Sequence, residues 1–164
     1  MIELIVFDVD GTLTDGKIIY SNSGEELKQF DVKDGLAIAT WTKKFGKKAA
    51  IITGRRSTLV EKRAKELGIT HLYQGVENKD EILKSILDRE NLAWDNVAAI
   101  GDDLNDLSMM HKVGLSFCVG DGSHYLKSSC NIVCDAKGGA GAAREAIEYV
   151  LQHHYNTSLA QIWE

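Results

Sequence analysis

The sequence lacks proline and has only three cysteines, Cys118, Cys130 and Cys134. An odd number of cysteines in a chain without an export signal predicts reduced thiols rather than a disulfide framework. The apolar neighbours of these cysteines favour buried thiols. A zinc site formed by Cys130 and Cys134 with His153 or His154 stays open as an alternative.

Long apolar runs and an excess of basic residues are also absent. No stretch approaches the roughly 18 apolar residues of a membrane span, and the amino terminus lacks the basic-then-apolar pattern of a secretory signal. The 19 basic and 24 acidic residues give a net charge of -5, which argues against nucleic acid or an anionic membrane as partner. We therefore expect a cytoplasmic protein. Its 164 residues fit one domain, 1–164, without repeats or low-complexity segments.

The most informative stretch is a short apolar run, Leu4 to Phe7, that ends on two carboxylates, Asp8 and Asp10, followed by Gly11. An uncharged run of this kind is typical of a strand buried on both faces of a parallel sheet. Ligands collect at the carboxyl ends of such strands, so the two carboxylates are placed where a substrate would bind. Asp-x-Asp-Gly alone is also typical of turns, so this pair does not decide the function.

Strands and helices alternate along the rest of the chain, with further strands expected at 49–52, 71–74, 97–100, 115–119 and 131–133. Helices are expected over about 34–45, after Ser57, from Lys79 and over 142–153. This alternation predicts a doubly wound, Rossmann-like α/β fold with a mainly parallel sheet. A β-hairpin over about 17–30 would project from it, apolar on two faces because Ile18 and Ile19 point to opposite sides, which suggests a partner subunit.

Polar side chains follow four of these predicted elements at the same edge of the sheet: Asp8 and Asp10, Thr53, Lys79, and Asp102 with Asp103. Carboxylates from two strand ends can hold Mg²⁺, and a metal, a hydroxyl and an ammonium can together neutralise a transferring phosphoryl group. A carboxylate can also be the nucleophile, through an aspartyl-phosphate. The set therefore indicates phosphoryl transfer.

In the same order, these residues resemble the four motifs of the haloacid dehalogenase superfamily. The resemblance implies that Asp8 attacks phosphorus and that Asp10 acts as general acid and then base. It also implies that Thr53 and Lys79 hold the phosphate. The implied Mg²⁺ ligands are Asp8, the backbone carbonyl of Asp10, and Asp102, with Asp103 or Asp106 supporting them.

The short gaps between the motifs leave no room for a cap domain, and the chain resembles the capless branch that hydrolyses 3-deoxy-D-manno-octulosonate 8-phosphate in lipopolysaccharide precursor synthesis. The resemblance places these residues in the substrate pocket: Asp10, Asp31, Val32, Lys33, Asp34, Gly35, Thr53, Gly54, Arg55 and Arg63. Ala39 stands where the branch usually carries an arginine, and Lys43 or Lys44 could take its place. Arg144 and Glu145 are either part of the site or a surface pair.

The capless branch implies a homotetramer. The tail, 154–164, carries Tyr155, Leu159, Ile162 and Trp163 without an obvious place in its own core, so we expect hairpin and tail to complete the pockets of neighbouring subunits. Two alternatives stay open. One is a phosphatase of another acidic sugar phosphate, such as a nine-carbon keto acid 9-phosphate. The other is a non-catalytic, phosphatase-like regulatory domain.

Overall fold

Eight short strands are present in the computed structural model, which describes the whole chain from Met1 to Glu164. They are β1 Leu4–Phe7, β2 Ile19–Tyr20, β3 Glu26–Leu27, β4 Lys48–Ile52, β5 His71–Tyr73, β6 Val97–Gly101, β7 Leu115–Cys118 and β8 Ile132–Val133. Six of them form one parallel sheet in the order β5-β4-β1-β6-β7-β8, and β2 and β3 form a separate antiparallel pair.

Five α-helices lie between strands and two follow the last strand: α1 Val32–Ala39, α2 Thr58–Glu66, α3 Lys79–Glu90, α4 Leu107–Met110, α5 His124–Ser129, α6 Ala142–Tyr155 and α7 Leu159–Trp163. A π-helical turn, Thr40–Lys44, continues α1, and 3₁₀ turns cover Trp94–Asn96 and Leu104–Asp106. None of the helices combines the length and the apolar composition needed to cross a bilayer.

The side chains of β1 point in turn to opposite faces of the sheet, and both faces are covered by helices. Ile5 and Phe7 belong to a core shared with α1, α2 and α6, whereas Leu4 and Val6 belong to a second core shared with α3, α4 and α5. All four side chains are at most 1% exposed. Because successive strand residues point to opposite faces, an apolar run without alternation requires helices on both sides. The predicted doubly wound α/β fold is confirmed.

The order of the strands in the sheet indicates where a ligand would bind. The sheet grows in one direction from β1 through β4 and β5, and in the other through β6, β7 and β8. The order therefore reverses between β1 and β6, and the crevice at their carboxyl ends is the usual ligand site of such sheets. Only the β2–β3 hairpin, α1 and its π-helical continuation lie between β1 and β4, and only α2 and β5 lie between β4 and α3.

The hairpin is shorter in regular structure than the sequence pattern suggests, with two residues in each strand. Its apolar side chains are exposed: Ile18 46%, Ile19 39%, Tyr20 62% and Leu27 48%. An apolar surface of this kind on a small protein is typical of an interaction site.

The prediction that the tail lacks a place in its own core is wrong. Ser158 caps the amino terminus of α7, and Ile162 is buried in the core with 1% exposure. The indole N–H of Trp163 donates to Glu148 Oε1 at 2.8 Å, and Lys44 Nζ donates to the carbonyl of Ile162 at 2.8 Å. A five-residue helix thus folds back onto α6 and the π-helical turn after α1, because Ile162, Trp163 and the carbonyl of Ile162 find partners there.

This docking predicts an asymmetry between two apolar residues of α7. Ile162→Ala should lower the free energy of unfolding by about 2–5 kcal/mol, because it leaves a cavity in the core. Leu159→Ala should change it by less than about 0.5 kcal/mol, since Leu159 is 45% exposed. Urea denaturation of the two variants measures both values. Equal, small effects would mean that the tail does not pack on its own chain.

Candidate active site

Three carboxylates converge at the carboxyl ends of β1 and β6. Phe7 pairs with Ile100 across the two strands, so the residues that follow, Asp8 and Asp102, emerge at the same edge. Asp106, four residues after Asp102 and at the end of the 3₁₀ turn, joins them. Each of Asp8, Asp102 and Asp106 offers a carboxylate oxygen, and these three oxygens lie within 4.8 Å of one another.

Lys79 holds two of these carboxylates together. Its ammonium donates to Asp8 Oδ1 at 2.8 Å and to Asp106 Oδ1 at 2.7 Å, and its side chain is 1% exposed. Burial lowers the pKa of Lys79, but attraction to Asp8 and Asp106 outweighs this effect and the net shift is upward. The lysine is therefore a fixed positive charge in the site. It begins α3, where an ammonium opposes the helix dipole, so its partners must compensate.

Asp106 orients both the lysine and the loop after β6. Its Oδ1 accepts from Lys79, and its Oδ2 accepts from the backbone N–H groups of Asp102 at 3.1 Å and Asp103 at 3.4 Å. Burial raises the pKa of Asp106 to about 6, and repulsion from Asp8 adds to this while Lys79 opposes it. Asp103 is exposed and caps the 3₁₀ turn through the N–H of Leu104 at 2.8 Å. Of the two residues expected to support the ligands, Asp106 is therefore the one inside the cluster.

The charged form of the Asp102 carboxyl group is disfavoured in this site. Burial raises its pKa to about 8, and repulsion from Asp8 is the next largest cause. The carboxylate oxygens of Asp8, Asp102 and Asp106, which lie within 4.8 Å of one another, suit a hard divalent cation. Such a cation would relieve the repulsion between these carboxylates that Lys79 alone does not compensate. The donor set therefore fits a Mg²⁺-like ion.

Two glycines make this close approach possible. Gly11 has a φ of 91°, and a Cβ at this position would overlap the carboxylate of Asp102. A Cβ at Gly101 would overlap the carboxylate of Asp106. Both positions therefore require a residue without a side chain.

Asp10 is held outside the cluster by a residue that the sequence reasoning missed. Lys28, just after β3, donates to Asp10 Oδ1 at 2.5 Å and lies 3.4 Å from Glu26 Oε1. Glu26 also accepts from Arg55 Nη2 at 2.9 Å. The alternation Glu26-Leu27-Lys28 was the available signal, because residues 26 and 28 share a face of the strand while Leu27 points away.

Thr53 lies at the same edge, immediately after β4, and is 2% exposed. Its N–H donates to the carbonyl of Tyr73 at 3.0 Å, and its carbonyl accepts from Val76 at 3.1 Å. These bonds fix the backbone beside β1. The adjacent Gly54 and Arg55 are exposed, and Arg55 turns toward the hairpin.

The segment from Asp31 to Gly35 divides between two environments. Asp31 caps α1 through the N–H groups of Lys33 at 2.7 Å and Asp34 at 3.2 Å, and its carbonyl accepts from Arg63 Nη2 at 3.2 Å. A Cβ at Gly35 would overlap the Arg63 guanidinium. Arg63 also borders a groove of about 310 Å³, which is lined by Lys28, Phe30, Val32, Leu59, Lys62, Arg63 and Glu66.

Asp34 lines a small cavity with Gly35 and Arg63, and it also contacts α6. It is 2% exposed, and its Oδ1 accepts from the N–H of Arg144 at 3.1 Å in the first turn of α6. Burial raises its pKa to about 6, and the N–H of Arg144 opposes the shift. Its observed contacts are those of a cap on a neighbouring helix. Val32 and Lys33 are exposed, Val32 by 82%.

The two lysines considered as replacements for the missing arginine have other partners. Lys43 Nζ donates to the carbonyl of Glu66 at 2.8 Å, at the end of α2, and Lys44 does the same for α7. Both therefore stabilise helix carboxyl ends. Neither contact is with the groove beside Arg63, so the suggestion that one of these lysines replaces the missing arginine gains no support.

Arg144 and Glu145 also have structural partners. Arg144 Nε donates to Glu148 Oε1 at 2.9 Å, and its guanidinium lies 4.2 Å from the centre of the Trp163 ring. Glu145 accepts from the N–H groups of Asp135 and Ala136, both at 2.9 Å. The zinc alternative gains no support, because the one group of three possible metal-binding side chains is the aspartate cluster.

Comparison with known proteins gives a consistent result. A sequence profile of the haloacid dehalogenase-like hydrolases matches residues 71–145. The chain is 46% identical over 151 residues to 3-deoxy-D-manno-octulosonate 8-phosphate phosphatase KdsC of Escherichia coli K12, covering 92% of this chain and 79% of that protein.

Solved structures agree. The phosphatase of the same name from Yersinia pestis has a TM-score of 0.89 and 44% identity, over 98% of this chain and 82% of that one. The Moraxella catarrhalis phosphatase, solved with a magnesium ion, a phosphate ion and a KDO molecule, has a TM-score of 0.89 and 40% identity, over 92% of this chain and 86% of that one. With the carboxylate cluster at the switch point of the sheet, these likenesses show that the chain belongs to the haloacid dehalogenase-like hydrolases and is a phosphatase of their capless branch.

Proposed function

We propose that the protein is a Mg²⁺-dependent phosphomonoesterase that hydrolyses 3-deoxy-D-manno-octulosonate 8-phosphate to the free keto sugar acid and phosphate. The observation that carries the chemistry is the junction of Asp8, Lys79, Asp102 and Asp106 at one sheet edge. The substrate is the one named for relatives at 46% identity. A cytoplasmic location completes the proposal, in keeping with three cysteines that form no disulfide.

The proposed mechanism has two displacements at phosphorus. In the first, a carboxylate oxygen of Asp8 bonds to phosphorus while the bond to the sugar oxygen breaks, and Asp10 gives that oxygen a proton. In the second, Asp10 takes a proton from water as the water oxygen bonds to phosphorus, and the bond from phosphorus to Asp8 breaks. Phosphate leaves and both carboxyl groups return to their first state.

The charged residues around Asp8 lower the barrier to both displacements. Lys79 and the hydroxyl of Thr53 would bind phosphoryl oxygens, where negative charge must be offset. Asp8, the backbone carbonyl of Asp10, and Asp102 would hold Mg²⁺, with Asp106 orienting the loop of Asp102. When bound, the ion neutralises charge on the cluster and on the phosphate. Because the pKa of Asp102 is raised to about 8, metal competes with a proton, so binding should strengthen as pH rises toward 8.

Substrate recognition would use the groove beside Arg63, which adjoins the hairpin and carries the basic side chains of Lys62 and Arg63 together with the acidic Glu66. Lys28 also borders this groove, but its charge is paired with Asp10. The basic side chains of the groove suit a sugar acid better than a neutral sugar. Ala39 offers no charge to a carboxylate, and Lys43 and Lys44 bind helix ends. Because no residue near position 39 fixes the choice between acidic sugars, the nine-carbon keto acid 9-phosphate serves as the comparison substrate.

Phosphate release from both sugar phosphates, with Mg²⁺ and with a chelator, tests this function. We expect the eight-carbon ester to have the higher kcat/KM, chelation to abolish turnover, and Ca²⁺ to restore it poorly because its larger, looser shell misplaces the phosphate. Asp8→Asn should abolish turnover, and Asp10→Asn should reduce it by about 10²- to 10⁴-fold. Circular dichroism provides the folding control.

Three results would contradict parts of this proposal. Full activity after exhaustive chelation would remove the metal, and a preference for the nine-carbon ester would change the substrate. A folded protein without phosphatase activity on either ester, or on an aryl phosphate, would favour the non-catalytic regulatory domain.

We also propose a homotetramer assembled through the hairpin, on the basis of the capless resemblance and of the exposed apolar surface formed by Ile18, Ile19, Tyr20, Leu27, Val32 and Leu36. Light scattering should give four times the 18.1 kDa chain mass. Ile18→Asp should reduce that mass because it places a charge in the interface, whereas Tyr125→Asp, at a similarly exposed position outside this surface, should not. A monomeric wild-type protein would contradict the assembly.

A further inference from the structure

Lys28 has a buried side chain in an element that is otherwise largely exposed. Its side chain is 4% exposed, although the neighbouring Leu27 is 48% exposed. A lysine is rarely buried to this extent unless a carboxylate compensates its charge. Asp10 Oδ1, at 2.5 Å, is the nearer partner, and Glu26 Oε1, at 3.4 Å, is the second.

The contacts of Lys28 link three parts of the site. Asp10 belongs to the loop after β1, Glu26 and Lys28 belong to the hairpin, and Arg55, which pairs with Glu26 at 2.9 Å, belongs to the loop after β4. Opposite charges alternate along this row of four side chains. Lys28 is the member that touches Asp10, so it determines how that carboxyl group is presented.

We propose that Lys28 is a positioning residue that selects which oxygen of Asp10 performs the acid–base chemistry. This inference rests on the proposed function. An ammonium group can donate hydrogen bonds but cannot accept one, so it binds the carboxyl oxygen that carries no proton. With Lys28 on Oδ1, the transferable proton of Asp10 is confined to Oδ2.

The two displacements then use one oxygen. Oδ2–H gives its proton to the sugar oxygen as the phosphorus–oxygen bond breaks, and the same Oδ2 takes a proton from water in the second displacement. Lys28 keeps its three protons throughout. Without it, the carboxyl group could rotate and carry its proton on either oxygen, so the productive arrangement would be populated less often.

The test uses Lys28→Met, which removes the charge but keeps the chain length, on two substrates. The sugar phosphate has a poor leaving group that needs the proton, whereas p-nitrophenyl phosphate has one that leaves as an anion. On the sugar phosphate we expect kcat to fall about 10- to 100-fold, with KM little changed. On p-nitrophenyl phosphate the first turnover should keep its rate. Stopped flow should then show a burst of one nitrophenolate per subunit, because the second displacement still needs Asp10.

Two further variants separate positioning from a purely structural role. Glu26→Gln weakens the contacts of the hairpin with Lys28 and Arg55 but leaves the Lys28–Asp10 pair, so its kcat should stay near that of the wild type. Lys28→Arg keeps a donor-only cation and should recover part of the loss on the sugar phosphate.

Other outcomes overturn the inference. If Lys28→Met slowed the first turnover equally on both substrates, Lys28 would only hold the hairpin in place. A raised KM with unchanged kcat would make Lys28 a substrate ligand. Wild-type kinetics would leave Lys28 without a role in the reaction. A wild-type protein that is inactive on both esters would overturn the proposed function itself, and the inference with it.

Discussion

The burial of Lys79 between Asp8 and Asp106 is the interaction on which the rest of the site depends. A buried carboxylate is costly unless it is paired and hydrogen-bonded, and here two buried carboxylates share one ammonium while Asp102 lies beside them without a cation. The raised pKa values of Asp102 and Asp106 show that the compensation is incomplete. The protein thus maintains a concentration of negative charge that a divalent cation and a phosphate ester can complete. This uncompensated charge lowers the stability of the fold, and it prepares the site to bind the cation and the phosphate ester.

The backbone is adapted to the same constraint. Gly11 and Gly101 leave room for the carboxylates of Asp102 and Asp106, and the N–H groups after β6 bind Asp106. Parallel strands buried on both faces supply the fixed edge from which these loops start. The hairpin is different, because two-residue strands with exposed apolar side chains cannot hold themselves in place. Its charged residues, Glu26 and Lys28, attach it to the two loops that carry the chemistry.

Much of this arrangement could be predicted from the sequence. Apolar runs that end on Asp8, Thr53 and Asp102 identify strands by local composition, and parallel strands must end at a common edge, so the convergence of these residues follows. Lys79 was predictable for a related reason, since a lysine at a helix start needs a nearby anion. These inferences require only local pattern and one rule of topology.

The rest depends on contacts between distant segments that no local pattern encodes. Asp34 was predicted as a pocket residue, but its hydrogen bond to the N–H of Arg144, 110 residues later at the start of α6, could not be predicted. The sequence pattern predicts a tail without a place in its own core, yet Ile162 is buried in the core because α7 folds back onto α6. Lys28 is one of two lysines in the hairpin segment 17–30, and only the three-dimensional structure shows that its ammonium reaches Asp10.

We infer that Lys79 stabilises the fold through its ion pairs with Asp106 and Asp8 and not merely as one more buried side chain. A double-mutant cycle with Lys79→Met and Asp106→Asn, measured by urea denaturation at pH 8 with chelator, separates these two roles. We expect Lys79→Met alone to cost about 3–5 kcal/mol, because it leaves buried carboxylates without a cation. Asp106→Asn in that background should recover part of the loss, with a coupling free energy of about 1–3 kcal/mol. Two substitutions that add within about 0.5 kcal/mol would contradict the claim.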